Sequence, residues 1–133
     1  MEAKSVLLVE NEPVIAVLTR MELENLGYEV EVAATGLEAI EIAQKLRPDV
    51  VLMDFQLDGD LDGAQTAREI GMRFEIPVIF LTGSTDINNI QKCLATRPYG
   101  FLKKPCSSRD LQKAIERALF VRILGQSSKP FAA

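Results

Sequence analysis

The sequence predicts an α/β protein, a single domain in which a five-stranded parallel sheet is covered by helices on both faces. Three observations carry this. Five short apolar runs alternate with five stretches of helical period; the strongest runs, Val6–Val9, Val50–Met53 and Val78–Leu81, are apolar throughout; and Gly27, Pro48, Pro77 and Pro98 punctuate the returns to the sheet. Uninterrupted apolar runs are what strands buried on both faces look like, and βαβ units are how parallel strands are joined.

In order, the Val6–Val9 strand leads to a helix whose opening turn suits Pro13 and in which Val14, Val17, Leu18 and Met21 fall at i, i+3, i+4, i+7 before Gly27 ends it. A weaker strand, Glu29–Ala34, precedes a helix after Thr35-Gly36 with Ala39, Ile42, Ala43 and Leu46 on one face and Pro48 as its stop. The Val50–Met53 strand is followed by a third helix from about Asp62-Gly63 that ends before Pro77. Val78–Leu81 precedes a fourth, Ile87 to Ala95, and Gly100–Lys103 precedes a fifth, which starts after Ser107-Ser108 and carries Leu111, Ile115 and Ala118. Residues 1–124 form the domain; Gly125–Ala133 is small, polar and proline-containing, and is expected to be poorly ordered.

A chain of 133 residues is long enough to bury a core without metal or disulfide staples. The net charge of −4, with no basic cluster beyond Lys103-Lys104, argues against a nucleic-acid surface. No basic leader precedes a long apolar core and no apolar run is long enough for a membrane span, so a cytoplasmic protein without membrane contact is expected. The absence of histidine removes Ser-His and Cys-His nucleophile pairs, most zinc sites and any phosphohistidine relay within the chain. Cys93 and Cys106 lack metal-ligand spacing and are expected to be free, reduced thiols.

In a parallel sheet, ligands bind beyond the carboxyl ends of the strands. Strand one ends in Glu10-Asn11, strand three in Asp54, strand four in Thr82 and strand five in Lys104-Pro105, whereas strand two ends in Ala33-Ala34. Taken singly, Asp54 is an ordinary turn residue and Thr82-Gly83 an ordinary loop. Together they bring carboxylates, an amide, a hydroxyl and an ammonium to one rim, and neighbouring buried acids cost free energy unless a cation offsets them. Oxygen ligands without His or Cys favour Mg²⁺, which binds through one or two carboxylates plus a phosphoryl group. An ionised aspartate can itself take that phosphoryl group, with the hydroxyl and ammonium stabilising its oxygens.

With these residues in place, the chain resembles the receiver domain of two-component response regulators over residues 4 to 124, on VLLVENEP, PDVVLMDFQL, the pair Asp62-Gly63, PVIFLTG and GFLKKP. The resemblance implies a flavodoxin-like sheet of order 2-1-3-4-5 and a histidine kinase or phosphotransfer protein that donates a phosphoryl group to Asp54. It implies Mg²⁺ held by Glu10, Asn11, Asp54 and the backbone carbonyl of Gln56. Thr82, Phe101 and Lys104 would answer the new phosphoryl group and remodel the face of helix four, strand five and helix five toward a downstream protein. The same face would serve a monomer or a weak homodimer. Gln56 and Ser84 would tune the lifetime of the phosphorylated form, and the Lys104-Pro105 bond would be cis. The chain is then a phosphoacceptor that assists its own phosphotransfer and dephosphorylation rather than a conventional enzyme, and Lys103 is a solvated neighbour.

Two departures bear on function. The family begins its site with two acids, and here the second is Asn11, which weakens the expected hold on Mg²⁺; Glu12, one residue on, faces helix one or solvent. The loop from Asp54 to Asp62 is one residue longer than the commonest form and carries Asp58 and Asp60 as solvent-exposed acids close to the rim. The alternative function is therefore a phosphorylation-independent pseudo-receiver, a constitutive protein-interaction module. A haloacid-dehalogenase-type phosphatase needs an acid where Gln56 stands, and a flavin or dinucleotide phosphate would be repelled by Glu10 and Glu12.

Overall fold

The computed structural model describes residues 3–127, with side chains to residue 125. Strands β1 (Ser5–Val9), β2 (Glu29–Ala33), β3 (Val50–Met53), β4 (Val78–Thr82) and β5 (Gly100–Lys103) alternate with helices α1 (Pro13–Asn25), α2 (Gly36–Leu46), α3 (Gly63–Phe74), α4 (Ile87–Ala95) and α5 (Ser108–Ser127). The strands form one parallel sheet in the order β2-β1-β3-β4-β5, the flavodoxin-like order expected.

Both sheet faces are buried, as apolar runs without alternation require. Leu7, Val9, Val51, Met53 and Phe80 pack with Ala39, Ala43, Ala64, Ala67, Ile70 and Cys93 from α2, α3 and α4. Their strand neighbours Val6, Leu8, Leu52, Ile79 and Leu81 point the other way and pack with Leu23, Leu111, Ile115 and Ala118 from α1 and α5. Each fully buried Leu or Ile in these layers contributes about 1.5–3 kcal/mol relative to exposure. The helix starts are specified locally: Thr35 accepts from the Glu38 N–H, Asp62 and Gln65 form a reciprocal capping box, and Asp86 accepts from the Asn88 N–H.

The apolar spacing of α1 is helical, but its stripe faces solvent. Val14, Val17, Leu18 and Met21 are 71%, 57%, 58% and 55% exposed, while Ala16, Thr19 and Leu23 on the opposite side are buried. A stripe at i, i+3, i+4 ordinarily marks the core side; here the side carrying Ala16, Thr19 and Leu23 lies inward instead. Leu46 of α2 is likewise exposed, and Ala39 and Ala43 form the packed side of that helix.

Helix α5 continues through Gly125 to Ser127, and Arg122 Nη1 donates to the Asp49 carbonyl at 3.0 Å, which fastens the helix to the start of β3. Residues 128–133 of the expected tail lie outside the described residues.

Candidate functional site

Strand register sets the rim. Val9 lies opposite Met53 in the β1–β3 pair, so the next residues, Glu10 and Asp54, leave the sheet side by side. Backbone bonds fix both exits: Asp54 N donates to Val9 O at 3.1 Å, and Glu10 N donates to Ala33 O at 2.9 Å. Across β4 and β5, Thr82 lies opposite Lys103, and Lys104 N donates to Thr82 O at 3.0 Å, which aims the Lys104 side chain back over the sheet end. The Lys104-Pro105 peptide is cis.

The convergence is tight. Lys104 Nζ lies 2.6 Å from Glu10 Oε1 and 3.3 Å from Asp54 Oδ2. Both carboxylates are buried, with Glu10 4% and Asp54 8% exposed. The other oxygens are met by main-chain donors: Glu12 N to Glu10 Oε2 at 3.2 Å and Gln56 N to Asp54 Oδ1 at 3.4 Å. Burial pulls the Lys104 ammonium down, but the hydrogen bond to Glu10 and the charge of Asp54 outweigh it and hold the group above its ordinary value. The side chains of Glu10 and Asp54 thus share one ammonium where β1 and β3 leave the sheet.

Thr82 closes β4, is buried, and its Oγ1 accepts from Ser84 N at 3.2 Å. Phe101 is half-buried beside Phe80, with ring centroids 6.3 Å apart. Asn11 is half-buried at the rim, while Glu12, Gln56, Asp58, Asp60 and Lys103 are exposed. Asp58 bridges to Thr35 beside α2, so the long loop after Asp54 is tethered there. Cys93 is buried, Cys106 is half-buried, and both are free.

Sequence reasoning used Asp62-Gly63 as a motif without its steric content. Gly63 N donates to Phe55 O at 2.8 Å, closing the loop, and a Cβ on Gly63 would overlap the Asp54 carbonyl oxygen and the Phe55 Cα. Helix α3 therefore starts directly against the backbone that carries Asp54. A second omission is Asn89 of α4, whose Nδ2 donates to Ser84 Oγ at 3.2 Å; no local pattern announces it, because the pairing depends on how the β4–α4 loop folds.

The donor set suits a hard cation. Two carboxylates, the Asn11 amide and main-chain carbonyls are all oxygen ligands of the kind Mg²⁺ takes. Among the described residues no three His, Cys, Asp or Glu side chains form a metal-holding group, as follows from an amide at position 11. Among them, too, no helix is long and apolar enough to cross a membrane.

A family model of the response regulator receiver domain matches residues 6–116. Solved structures agree. The signal receiver domain of a modulated diguanylate cyclase from Desulfovibrio desulfuricans G20 is 38% identical, with a TM-score of 0.88 over 92% of this chain and 98% of that one. A CheY-like receiver domain protein from Methanospirillum hungatei JF-1 is 27% identical, with a TM-score of 0.84 over 92% and 98%. The receiver domain of a sensor histidine kinase from Pseudomonas aeruginosa PAO1, solved with a magnesium ion coordinated in its active-site cleft, is 32% identical, with a TM-score of 0.82 over 89% and 98%.

Proposed function

The chain belongs to the response regulator receiver domain family, and on that footing we propose that Asp54 accepts a phosphoryl group from the phosphohistidine of a histidine kinase or a phosphotransfer protein. The observation that carries this is Lys104 Nζ bridging the buried carboxylates of Glu10 and Asp54 at 2.6 and 3.3 Å. A purely structural residue at the end of β3 has no need of a second buried acid and a shared ammonium.

In the transfer, an Asp54 carboxylate oxygen attacks phosphorus, the P–O bond forms as the P–N bond to imidazole breaks, and the departing electron pair stays on the imidazole nitrogen, which takes a proton. Asp54 needs no general base, since an aspartate at neutral pH is ionised. Lys104 is placed to follow the charge onto the phosphoryl oxygens, and the Thr82 hydroxyl supplies a further donor. Glu10, Asp54, the Asn11 amide and the Gln56 carbonyl would hold Mg²⁺, which when bound screens the repulsion between anionic nucleophile and anionic donor. The magnesium ion in the Pseudomonas aeruginosa relative supports this.

Phosphorylation then shifts Thr82 and Phe101 and remodels the face of α4, β5 and α5, through which a downstream protein, or weakly a second copy, binds. The half-buried Phe101 ring and the slight anchoring of α4, in which only Cys93 is buried, support that reading. Gln56 and Ser84 tune the lifetime of the product, and the setting is cytoplasmic. Intact-mass analysis with Mg²⁺ and a small phosphodonor tests the proposal: wild type gains one phosphoryl group and Asp54→Asn gains none. Asn11 favours the second reading, a phosphorylation-independent pseudo-receiver, which prevails if wild type gains nothing where Asn11→Asp does.

A further inference from the structure

We infer that Ser84 and Asn89 form a clasp that fixes the resting position of Thr82 and ties it to the first turn of α4, which makes Asn89 a positioning residue for the switch. The inference rests on the phosphoacceptor reading of Asp54 and adds to it the path by which the site reaches α4.

The path is a short chain of hydrogen bonds. Thr82 is 1% exposed, so its hydroxyl has no access to bulk water, and in the resting arrangement Oγ1 accepts from Ser84 N at 3.2 Å. Ser84 Oγ in turn accepts from Asn89 Nδ2 and from Asp86 N, each at 3.2 Å. One serine therefore links the last residue of β4 to a side chain within the first turn of α4.

Helix capping does not account for the Asn89 bond. The N-cap of α4 is Asp86, whose side chain already accepts from the Asn88 N–H at 2.9 Å. Asn89 reaches back out of the helix to the loop instead. The helix it tethers has nine residues and only Cys93 buried, so few apolar contacts oppose its movement, and segments with few buried contacts open most readily.

A phosphoryl group on Asp54 competes for the Thr82 hydroxyl. Once Oγ1 turns toward it, the Ser84 N–H loses its acceptor, and the loop that presents Ser84 Oγ to Asn89 is freed. Coupling of this kind is reciprocal: whatever weakens the clasp favours the switched state and so strengthens binding of the phosphoryl group or its mimic at Asp54.

The test uses beryllofluoride with Mg²⁺ as the phosphoryl mimic, read by equilibrium affinity and by amide hydrogen exchange across α4. Asn89→Ala is expected to tighten beryllofluoride binding about fivefold, the factor for one hydrogen bond lost only from the resting state. It is also expected to speed exchange of the α4 amides about fivefold in the unliganded protein. Ser84→Ala reproduces both effects, Ser84→Thr, which keeps the hydroxyl, does not, and the double variant Ser84→Ala/Asn89→Ala exceeds neither single change. Asn88→Ala, which alters an exposed side chain of the same turn, leaves both readouts at wild-type values. Wild-type binding with Asn89→Ala within twofold of it in both readouts, or additive effects in the double variant, overturns the clasp alone. A wild type that binds no beryllofluoride overturns both the clasp and the phosphoacceptor reading.

Discussion

The ammonium of Lys104 serves two buried carboxylates at once, 2.6 Å from Glu10 and 3.3 Å from Asp54. Removing it leaves two like charges with no cation, and uncompensated buried charge is the costly outcome of breaking such a cluster. Lys104→Met is expected to lose about 2–4 kcal/mol of stability without metal, scaled down from a fully buried pair because Lys104 is partly exposed. Because the competing ammonium is gone, added Mg²⁺ should recover part of that loss, while phosphorylation by a small donor slows at least tenfold, on the order of one charge-stabilising donor. Urea titrations with and without Mg²⁺, beside a phosphorylation time course, check both. A variant as stable as wild type refutes the charge argument.

Asn11 has the opposite sign. Restoring an acid with Asn11→Asp adds a third carboxylate near Glu10 and Asp54, and hard cations bind more tightly as ligand charge rises. Mg²⁺ affinity should increase by about tenfold, near 1.4 kcal/mol. The metal-free fold should weaken by about 1 kcal/mol through like-charge repulsion at a partly solvated rim. Calorimetric Mg²⁺ titration and metal-free denaturation read the two effects, which must appear together. Tighter Mg²⁺ binding without destabilisation would mean that the introduced carboxylate lies too far from the other two to repel them.

Gly63 links fold and site most directly. A Cβ there would collide with the Asp54 carbonyl oxygen and the Phe55 Cα, which are backbone atoms that cannot rotate away. Gly63→Ala is therefore expected to cost more than about 3 kcal/mol and to impair phosphorylation in whatever fraction stays folded. Gly71→Ala, in the same helix with nothing within 4 Å of the added methyl, should be neutral or stabilising by up to about 1 kcal/mol. Chemical denaturation of the pair separates steric overlap from helix propensity.

The covered parallel sheet was legible because β1, β3 and β4 are apolar at nearly every position, a pattern that strands covered on both faces sustain, whereas the strand order was implied only by the resemblance to receiver domains. The rim was legible for the same reason, since register turns strand ends in the sequence into neighbours in space: Val9 opposite Met53 brings Glu10 beside Asp54. What periodicity does not carry is which side of a helix faces in. On α1 the bulky stripe of Val14, Val17, Leu18 and Met21 lies outward and Ala16, Thr19 and Leu23 lie inward. Equally hidden from local pattern is the bond from Arg122 to the distant carbonyl of Asp49, which joins α5 to the start of β3.

That reversal on α1 gives a direct comparison. Leu18→Ser changes a residue 58% exposed and should move stability by less than about 0.5 kcal/mol. Leu23→Ala, at a residue 0% exposed, should cost about 2–5 kcal/mol by loss of burial and creation of a cavity. Equal costs in urea denaturation would return the apolar stripe to the core.

Cys93 sets the behaviour at high pH. It is fully buried between α4 and the sheet, and burial first, then the charges of Asp62 and Asp54, push its thiol up to about 11. The unfolded chain releases that proton near 9.0, so between 9.0 and about 11 the unfolded state holds fewer protons than the folded one. Stability then falls as pH rises through this window, by an amount on the order of 2 kcal/mol for this group, and is unaffected by it below. Lys104, held above its ordinary value by Glu10 and Asp54, adds loss of the same sign at still higher pH. Denaturation midpoints measured from about pH 7 to 10.5 should decline in wild type, and Cys93→Ala, though less stable at neutral pH through the lost sulfur, should decline less steeply. A parallel decline in the two proteins would assign the alkaline loss to groups other than this thiol.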